Sequence, residues 1–255
     1  MTGWLADAFY EVSVWLSFAG LTTWFSLRTE GRKFIPRQGP ALLIANHQSF
    51  MDPVLVGVAA RRHLCYLARK TLFDHWLFRL ITWGFNPVPV NQEGFAREGL
   101  KAILEQLERG RAVLIFPEGE RTGDGKIHAF RPGIHLLIKR IEMPIVPVGI
   151  AGAYEAWPRW RPYPIPAPLF LSAGKGTIGV SIGEPVNSRC LTKKPREEVL
   201  ADLFGRVQSV QKRAEQLRRK PAFGLGAETG RRQSSVPGEV ASAPEPQKSA
   251  HQNRE

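Results

Sequence analysis

Short apolar runs that alternate with helical periods constrain this chain most. Ala41–Ala45 reads A-L-L-I-A, without a polar side chain. A run so short and so apolar fits a strand covered on both faces, as in a parallel sheet. Leu64–Ala68, Ala112–Phe116 and Ile145–Ile150 are further strand candidates, Val88–Val90 is a short extended piece, and Thr177–Ile182 alternates like a strand. Between them lie helical segments: Pro53–Ala60, an amphipathic Thr71–Trp83, Phe95–Glu108 and Gly133–Arg140. In Phe95–Glu108, Leu100, Ile103, Leu104 and Leu107 share one face, and Gly110 stands where a C-terminal cap belongs. Pro195–Lys220 is a long charged helix, opened by a Pro and two Glu in its first turn. Alternating β and α predicts an α/β fold, with a mixed, mostly parallel central sheet flanked by helices. The 255 residues suffice for a sizeable core.

The two ends read differently. From Val12 to Leu27 the chain carries no charge, but Asp7 and Glu11 stop the run short of the roughly 20 residues a spanning helix needs. Those two acids also stand where a secretory signal would be basic. Trp4, Trp15 and Trp24 suit a bilayer interface. Residues 1–27 are therefore expected to be a membrane-associated helical segment, with a buried core helix as the other reading. Trp157–Pro168 holds five prolines and is expected to be irregular. From residue 221 the composition collapses into Gly, Ser, Pro, Gln and charges, which predicts a disordered basic tail over 221–255. The domain itself is expected over 28–220.

The net charge of +12 asks for an anionic partner, either a nucleic acid or an anionic membrane surface. Basic and aromatic residues interleave in R-K-T-L-F-D-H-W-L-F-R-L-I-T-W-G-F, which holds Trp76 and Trp83, and in W-P-R-W-R-P-Y. Such stretches suit a headgroup layer. They also suit stacked bases, but no nucleic-acid motif accompanies them, so the membrane surface is the expected partner and nucleic acid is not. Trp76 and Trp83 are equally readable as core residues. Only Cys65 and Cys190 are present, far apart, which fits a reducing compartment.

Two polar turns each follow an apolar strand. N-H-Q-S-F-M-D, residues 46–52, holds His47 and Asp52, and Pro53 opens the next helix. Asp before Pro is a helix-start signal, so Asp52 reads as an N-cap. A strand-to-helix turn also brings Asp52 back towards His47, where a carboxylate would fix the ring tautomer and leave the other nitrogen to take a proton. F-P-E-G-E-R, residues 116–121, places Glu118 and Arg121 in a tight turn. There Gly119 permits close approach to the backbone, and Arg offers a fork of donors to a phosphate. A surface Glu–Arg pair is the other reading of that turn.

N-H-Q-S-F-M-D resembles the first signature of the glycerolipid acyltransferase family, which includes the 1-acylglycerol-3-phosphate acyltransferases, and F-P-E-G-E-R resembles its third, usually written F-P-E-G-T-R. D-G-K-I-H-A-F-R-P-G and I-V-P-V-G-I-A-G are similar to the family's continuation, so the resemblance covers roughly residues 30 to 185. It implies an O-acyltransferase of phospholipid biosynthesis. His47 would act as general base on the hydroxyl of lysophosphatidic acid, with Asp52 orienting it. The acyl group would come from a thioester, either acyl-CoA or acyl carrier protein, with no metal and no other cofactor. Glu118 and Gly119 would shape the acceptor pocket and Arg121 would hold its phosphate, with Arg131 and Lys70 as further binding candidates. The enzyme would sit on the cytoplasmic face of a membrane. The chain departs from the family at Glu120, where Thr is usual, and at Gln92, where the second signature has Arg. A different lysolipid acceptor, or a catalytically silent lipid-binding relative, is the alternative.

Overall fold

A computed structural model describes residues 3–69, 87–90, 95–169 and 176–219. In chain order they form α1 (Gly3–Phe25), β1 (Arg28–Glu30), β2 (Ala41–Ala45), α2 (Asp52–Ala60), β3 (Leu64–Arg69) and β4 (Pro87–Val90). There follow α3 (Phe95–Glu108), β5 (Ala112–Ile115), α4 (Gly133–Ile138), β6 (Pro144–Ala151) and α5 (Ala153–Ala156). The last elements are β7 (Gly179–Ile182), β8 (Val186–Asn187), α6 (Ser188–Thr192) and α7 (Arg196–Arg219). The expected helix Thr71–Trp83, Lys70, Gln92 and the tail over 221–255 lie outside the described residues.

The strands form one sheet in the order β1-β7-β6-β2-β5-β3-β4, with β8 added beside β6. From β6 to β4 every pairing is parallel, while β7 and β8 run antiparallel to β6. The sheet is thus mixed and mostly parallel, as the alternation of elements required. At its centre β2 lies between β5 and β6, with Leu43 opposite both Leu114 and Val146.

The apolar run 41–45 is explained by burial on two faces. Leu43 and Ala45 pack with Leu55, Val56 and Ala59 of α2. Leu42 and Ile44 point the other way, to Ile103 and Leu107 of α3, Leu137 and Ile138 of α4, and Leu203 and Val207 of α7. Each fully buried Leu or Ile is worth roughly 1.5–3 kcal/mol relative to exposure. The long helix α7 crosses β6 so closely that a Cβ on Gly149 would stand 2.2 Å from the Gln211 backbone nitrogen. Glycine is required there by the backbone contact.

Helix α1 packs one face into the core, as the second reading of the N-terminal segment expected. Tyr10, Val14 and Leu21 are buried in the core beside α2, with Phe18 and Phe25 packed against it. Val12, Trp15, Leu16 and Trp24 are exposed. One face is therefore core, and the opposite face is mostly apolar and exposed, with the Arg61 guanidinium 4.5 Å over the Trp15 ring. No described helix is long and apolar enough to cross a membrane. The proline-rich segment after α5 is irregular, as expected, and it runs beside the end of α1. Ala167 N–H donates to Trp24 O at 2.7 Å, and Ser26 Oγ donates to Ala167 O at 2.8 Å.

Candidate active site

The carboxyl ends of β2, β5 and β6 meet at one edge of the sheet, the side on which open α/β sheets bind ligands. The turn after β2 is anchored first by Asn46. Its amide nitrogen donates to Ile150 O at 2.9 Å and its oxygen accepts from Ile150 N–H at 2.8 Å, so one side chain extends the β2–β6 pairing by a step. His47 is then held by its backbone from the second turn: its N–H donates to Glu118 Oε1 at 2.8 Å, and its carbonyl accepts from Thr122 N–H at 2.9 Å.

The His47 ring stacks on Phe116, with centroids 4.0 Å apart and planes 15° apart. β5 ends at Ile115, one residue sooner than the apolar run suggested, and Phe116 already belongs to the turn, its carbonyl accepting from Gly119 N–H at 3.0 Å. Nδ1 of His47 lies 2.7 Å from Asp52 Oδ2. A carboxylate only accepts, so Nδ1 carries the hydrogen, and in the neutral imidazole Nε2 is the nitrogen with the lone pair. The Asp52 side chain is fully buried, and that of His47 keeps 19% of its surface exposed. The ring is therefore fixed yet reachable.

The expectation that Asp52 caps α2 needs correction. The cap position falls on Met51, which makes no side-chain cap bond, and Asp52 is the first helical residue. Its carboxylate turns back over the preceding loop, where Oδ2 also accepts from the N–H groups of Gln48 and Ser49. Those donors and the ring hydrogen offset the desolvation of a buried carboxylate. Proline at the helix start pre-sets the backbone in place of a side-chain cap.

Glu118 clamps the two turns together. One oxygen accepts from His47 N–H, and the other accepts from His128 N–H at 2.9 Å. Burial pushes its carboxyl up to about 7, and these two backbone donors pull the other way. Gly119 has a φ of 81°, which closes the turn. The group that approaches its backbone is the chain's own Arg131, whose Nε would stand 2.8 Å from a Cβ at that position and donates to Glu118 O. The Arg121 guanidinium lies 3.3 Å from the centre of the Phe50 ring, a cation–π contact that orients it.

Arg121 and Arg131 line a cavity of about 490 Å³ together with Glu118, Thr122, His128 and Arg159. Glu120 lines it too, with Oε1 3.1 Å from Arg131 and Oε2 4.0 Å from Arg159. The structure thus brings together His47, Asp52, Glu118, Gly119, Arg121 and Arg131, while Lys70 is outside the described residues. Sequence reasoning missed Asn46, His128 and Arg159 as parts of the site. Arg159 had a signal in W-P-R-W-R-P-Y, which pointed to lipid headgroups. Among the described residues, no group of three His, Cys, Asp or Glu side chains is placed to hold a metal ion.

The acyltransferase family model matches residues 26–151. The chain is 24% identical over 155 residues to the chloroplastic 1-acyl-sn-glycerol-3-phosphate acyltransferase LPAT1 of Arabidopsis thaliana, covering 58% of this chain and 42% of that one. It is 30% identical over 149 residues to a probable 1-acyl-sn-glycerol-3-phosphate acyltransferase of Mycoplasma genitalium, covering 56% and 53%. It thus spans about half the length of the curated relatives it matches. The crystal structure of the 1-acyl-sn-glycerophosphate acyltransferase PlsC from Thermotoga maritima shares the fold, with a TM-score of 0.62 at 24% identity over 83% of this chain and 79% of that one. The matched residues contain both polar turns and the strands that position them, and the chain belongs to the acyltransferase family.

Proposed function

We propose that the protein moves a fatty acyl group from a thioester donor to the free hydroxyl of lysophosphatidic acid, giving phosphatidic acid. The observation that carries this reading is the fixed His47–Asp52 pair at a sheet edge, in turns tied to an arginine-lined cavity. What the relatives are named for supports the choice of reaction.

In this reading His47 Nε2 takes the proton of the acceptor hydroxyl as its oxygen attacks the thioester carbonyl. Asp52 stabilises the imidazolium through Nδ1–H. The tetrahedral intermediate collapses, the carbon–sulfur bond breaks, and the proton on His47 passes to the departing thiolate. Acyl group and proton balance with no covalent acyl-enzyme. Arg121 and Arg131 hold the acceptor's phosphate, and Glu118 holds the His47 backbone. The thiol carrier is acyl-CoA or acyl carrier protein.

The exposed apolar face of α1, with Trp15 and Trp24, and the exposed Trp160 and Tyr163 suit the interface of an anionic bilayer, from which the lipid acceptor is drawn. The two free cysteines, Cys65 and Cys190, support a reducing, cytoplasmic side for that face. One observation favours a second acceptor reading: Glu120 puts a carboxylate into the cavity where the family usually has Thr. A lysolipid with a headgroup on its phosphate is that alternative.

The test is acyl transfer from labelled acyl-CoA and acyl carrier protein to a panel of lysolipids, with His47→Ala as control. Turnover of lysophosphatidic acid that disappears in a folded His47→Ala variant is expected. Turnover restricted to other lysolipids would replace the acceptor, and turnover surviving in the variant would remove the general base.

A further inference from the structure

Arg159 reaches the cavity from outside the family's signatures. It sits on the irregular segment after α5, in a short turn that is locked at several points. Ser49 Oγ donates to Trp157 O at 2.9 Å, Trp157 Nε1 donates to Arg161 O at 3.0 Å, and the Phe50 and Trp157 rings lie 5.9 Å apart. Ser49 and Phe50 belong to the catalytic turn. The turn 157–161 is therefore built onto the His47 loop, and it presents Arg159 to the cavity that Arg121 and Arg131 also line.

Glu120 spans the space between Arg131 and Arg159, one oxygen towards each. Glu120 is 60% exposed and Arg159 is 51% exposed, so both ion pairs are solvent-screened and weak. An incoming dianion that meets both guanidiniums directly displaces such a carboxylate. Charge balance points the same way. Glu in place of the family's Thr lowers the net charge of the pocket by one, and Arg159, which lines the same pocket, offsets it.

We propose that Arg159 is a further acceptor-binding residue, which takes a phosphomonoester jointly with Arg131 while Glu120 pairs with both guanidiniums until the acceptor arrives. This rests on the cavity being the acceptor's phosphate pocket.

The experiment separates that pocket from the bilayer and from turnover. The full chain is titrated with inorganic phosphate and with glycerol 3-phosphate by calorimetry, and acyl transfer is assayed on a short-chain lysophosphatidic acid below its micelle concentration. Arg159→Ala is expected to weaken both phosphate ligands about tenfold and to raise the acceptor KM by a similar factor. The kcat is expected to fall far less, and the donor KM to stay unchanged. Arg159→Lys regains part of the loss, since an ammonium supplies the charge but not the fork. Glu120→Gln tightens phosphate severalfold, and this gain is smaller in the Glu120→Gln/Arg159→Ala double variant, where only Arg131 is released.

Equal phosphate affinity in wild type and Arg159→Ala overturns the inference, as does a wild type that binds neither ligand. A loss confined to binding of phosphatidylglycerol vesicles also overturns it and makes Arg159 a bilayer anchor. A wild type that binds glycerol 3-phosphate but transfers no acyl group overturns the proposed reaction, while the calorimetry still decides Arg159.

Discussion

Glu118→Gln probes how the two turns are held together and gives a pH signature with a definite sign. Glu118 is only 4% exposed, and its carboxyl is raised from 4.5 to about 7. The folded chain therefore binds this proton more tightly than the unfolded chain. Stability from this group is fully present below pH 4.5, declines as the pH rises, and is lost once the pH passes about 7. The gap corresponds to about 3 kcal/mol at 1.36 kcal/mol per pH unit, as an upper value. Gln keeps a carbonyl for one of the two backbone donors and turns an amide towards the other, so the variant loses about 1–2 kcal/mol at low pH. Because Gln does not titrate, the deficit of the variant narrows as the pH rises above 4.5 and reverses between about pH 5 and 6, well before the loss levels off above pH 7. Chemical denaturation of both proteins from pH 4.5 to 8 measures this. The difference cancels other titrations, such as that of Asp124, which its hydrogen bonds hold down at about 2. A difference independent of pH would falsify the reasoning, because the two N–H donors would then outweigh burial and keep Glu118 ionised throughout.

Asp52→Asn keeps a side chain of the same shape but removes the charge facing the imidazolium. The kcat is expected to fall about 10³-fold, with a loss of about 1–3 kcal/mol in stability, in steady-state assays and thermal melts. Unaltered kcat would end the role assigned to the pair. Arg121→Ala should raise the acceptor KM roughly tenfold and leave the donor KM in place; a rise in the donor KM alone would reassign the turn. Gly149→Ala forces β6 and α7 apart and should cost about 3 kcal/mol in denaturant unfolding, so an unchanged midpoint would refute the close crossing. Replacing Trp15 and Trp24 together by Ser should reduce sedimentation with anionic vesicles several-fold while the fold persists, since both rings point outward.

The parts of the fold that were legible are those where burial dictates composition. β2 reads as a strand because Leu42 and Leu43 face different helical layers and neither face admits a polar residue. Helix α3 reads from its leucines, and its bounds match the expected Phe95–Glu108. β1 and β8 were not legible, because R-T-E and V-N are short and half exposed, and their pairing with β7 and β6 is decided by tertiary contacts. Within the site, the spacing of His47 and Asp52 carried the pair. The direction of the Asp52 carboxylate did not follow from it, since the cap of α2 and the loop amides compete for the same oxygens. Arg159 was hidden for another reason. Its approach to Glu120 depends on how a proline-rich segment turns, and no period in the sequence encodes that path.

The Asn46 amide carries a consequence for the chemical lifetime of the protein. Both ends of this side chain are used, one donating to Ile150 O and one accepting from Ile150 N–H. Hydrolysis of the amide to a carboxylate would leave the acceptor and delete the donor, setting a negative charge against a carbonyl oxygen in a dry environment. One atom exchanged by slow deamidation would thus pry β2 from β6 directly beside His47. The geometry that makes the residue vulnerable in this sense also shields it. The side chain is 1% exposed, and two hydrogen bonds pin it away from the backbone nitrogen that would have to attack it. Ageing of the protein should therefore begin only after the strand edge has opened.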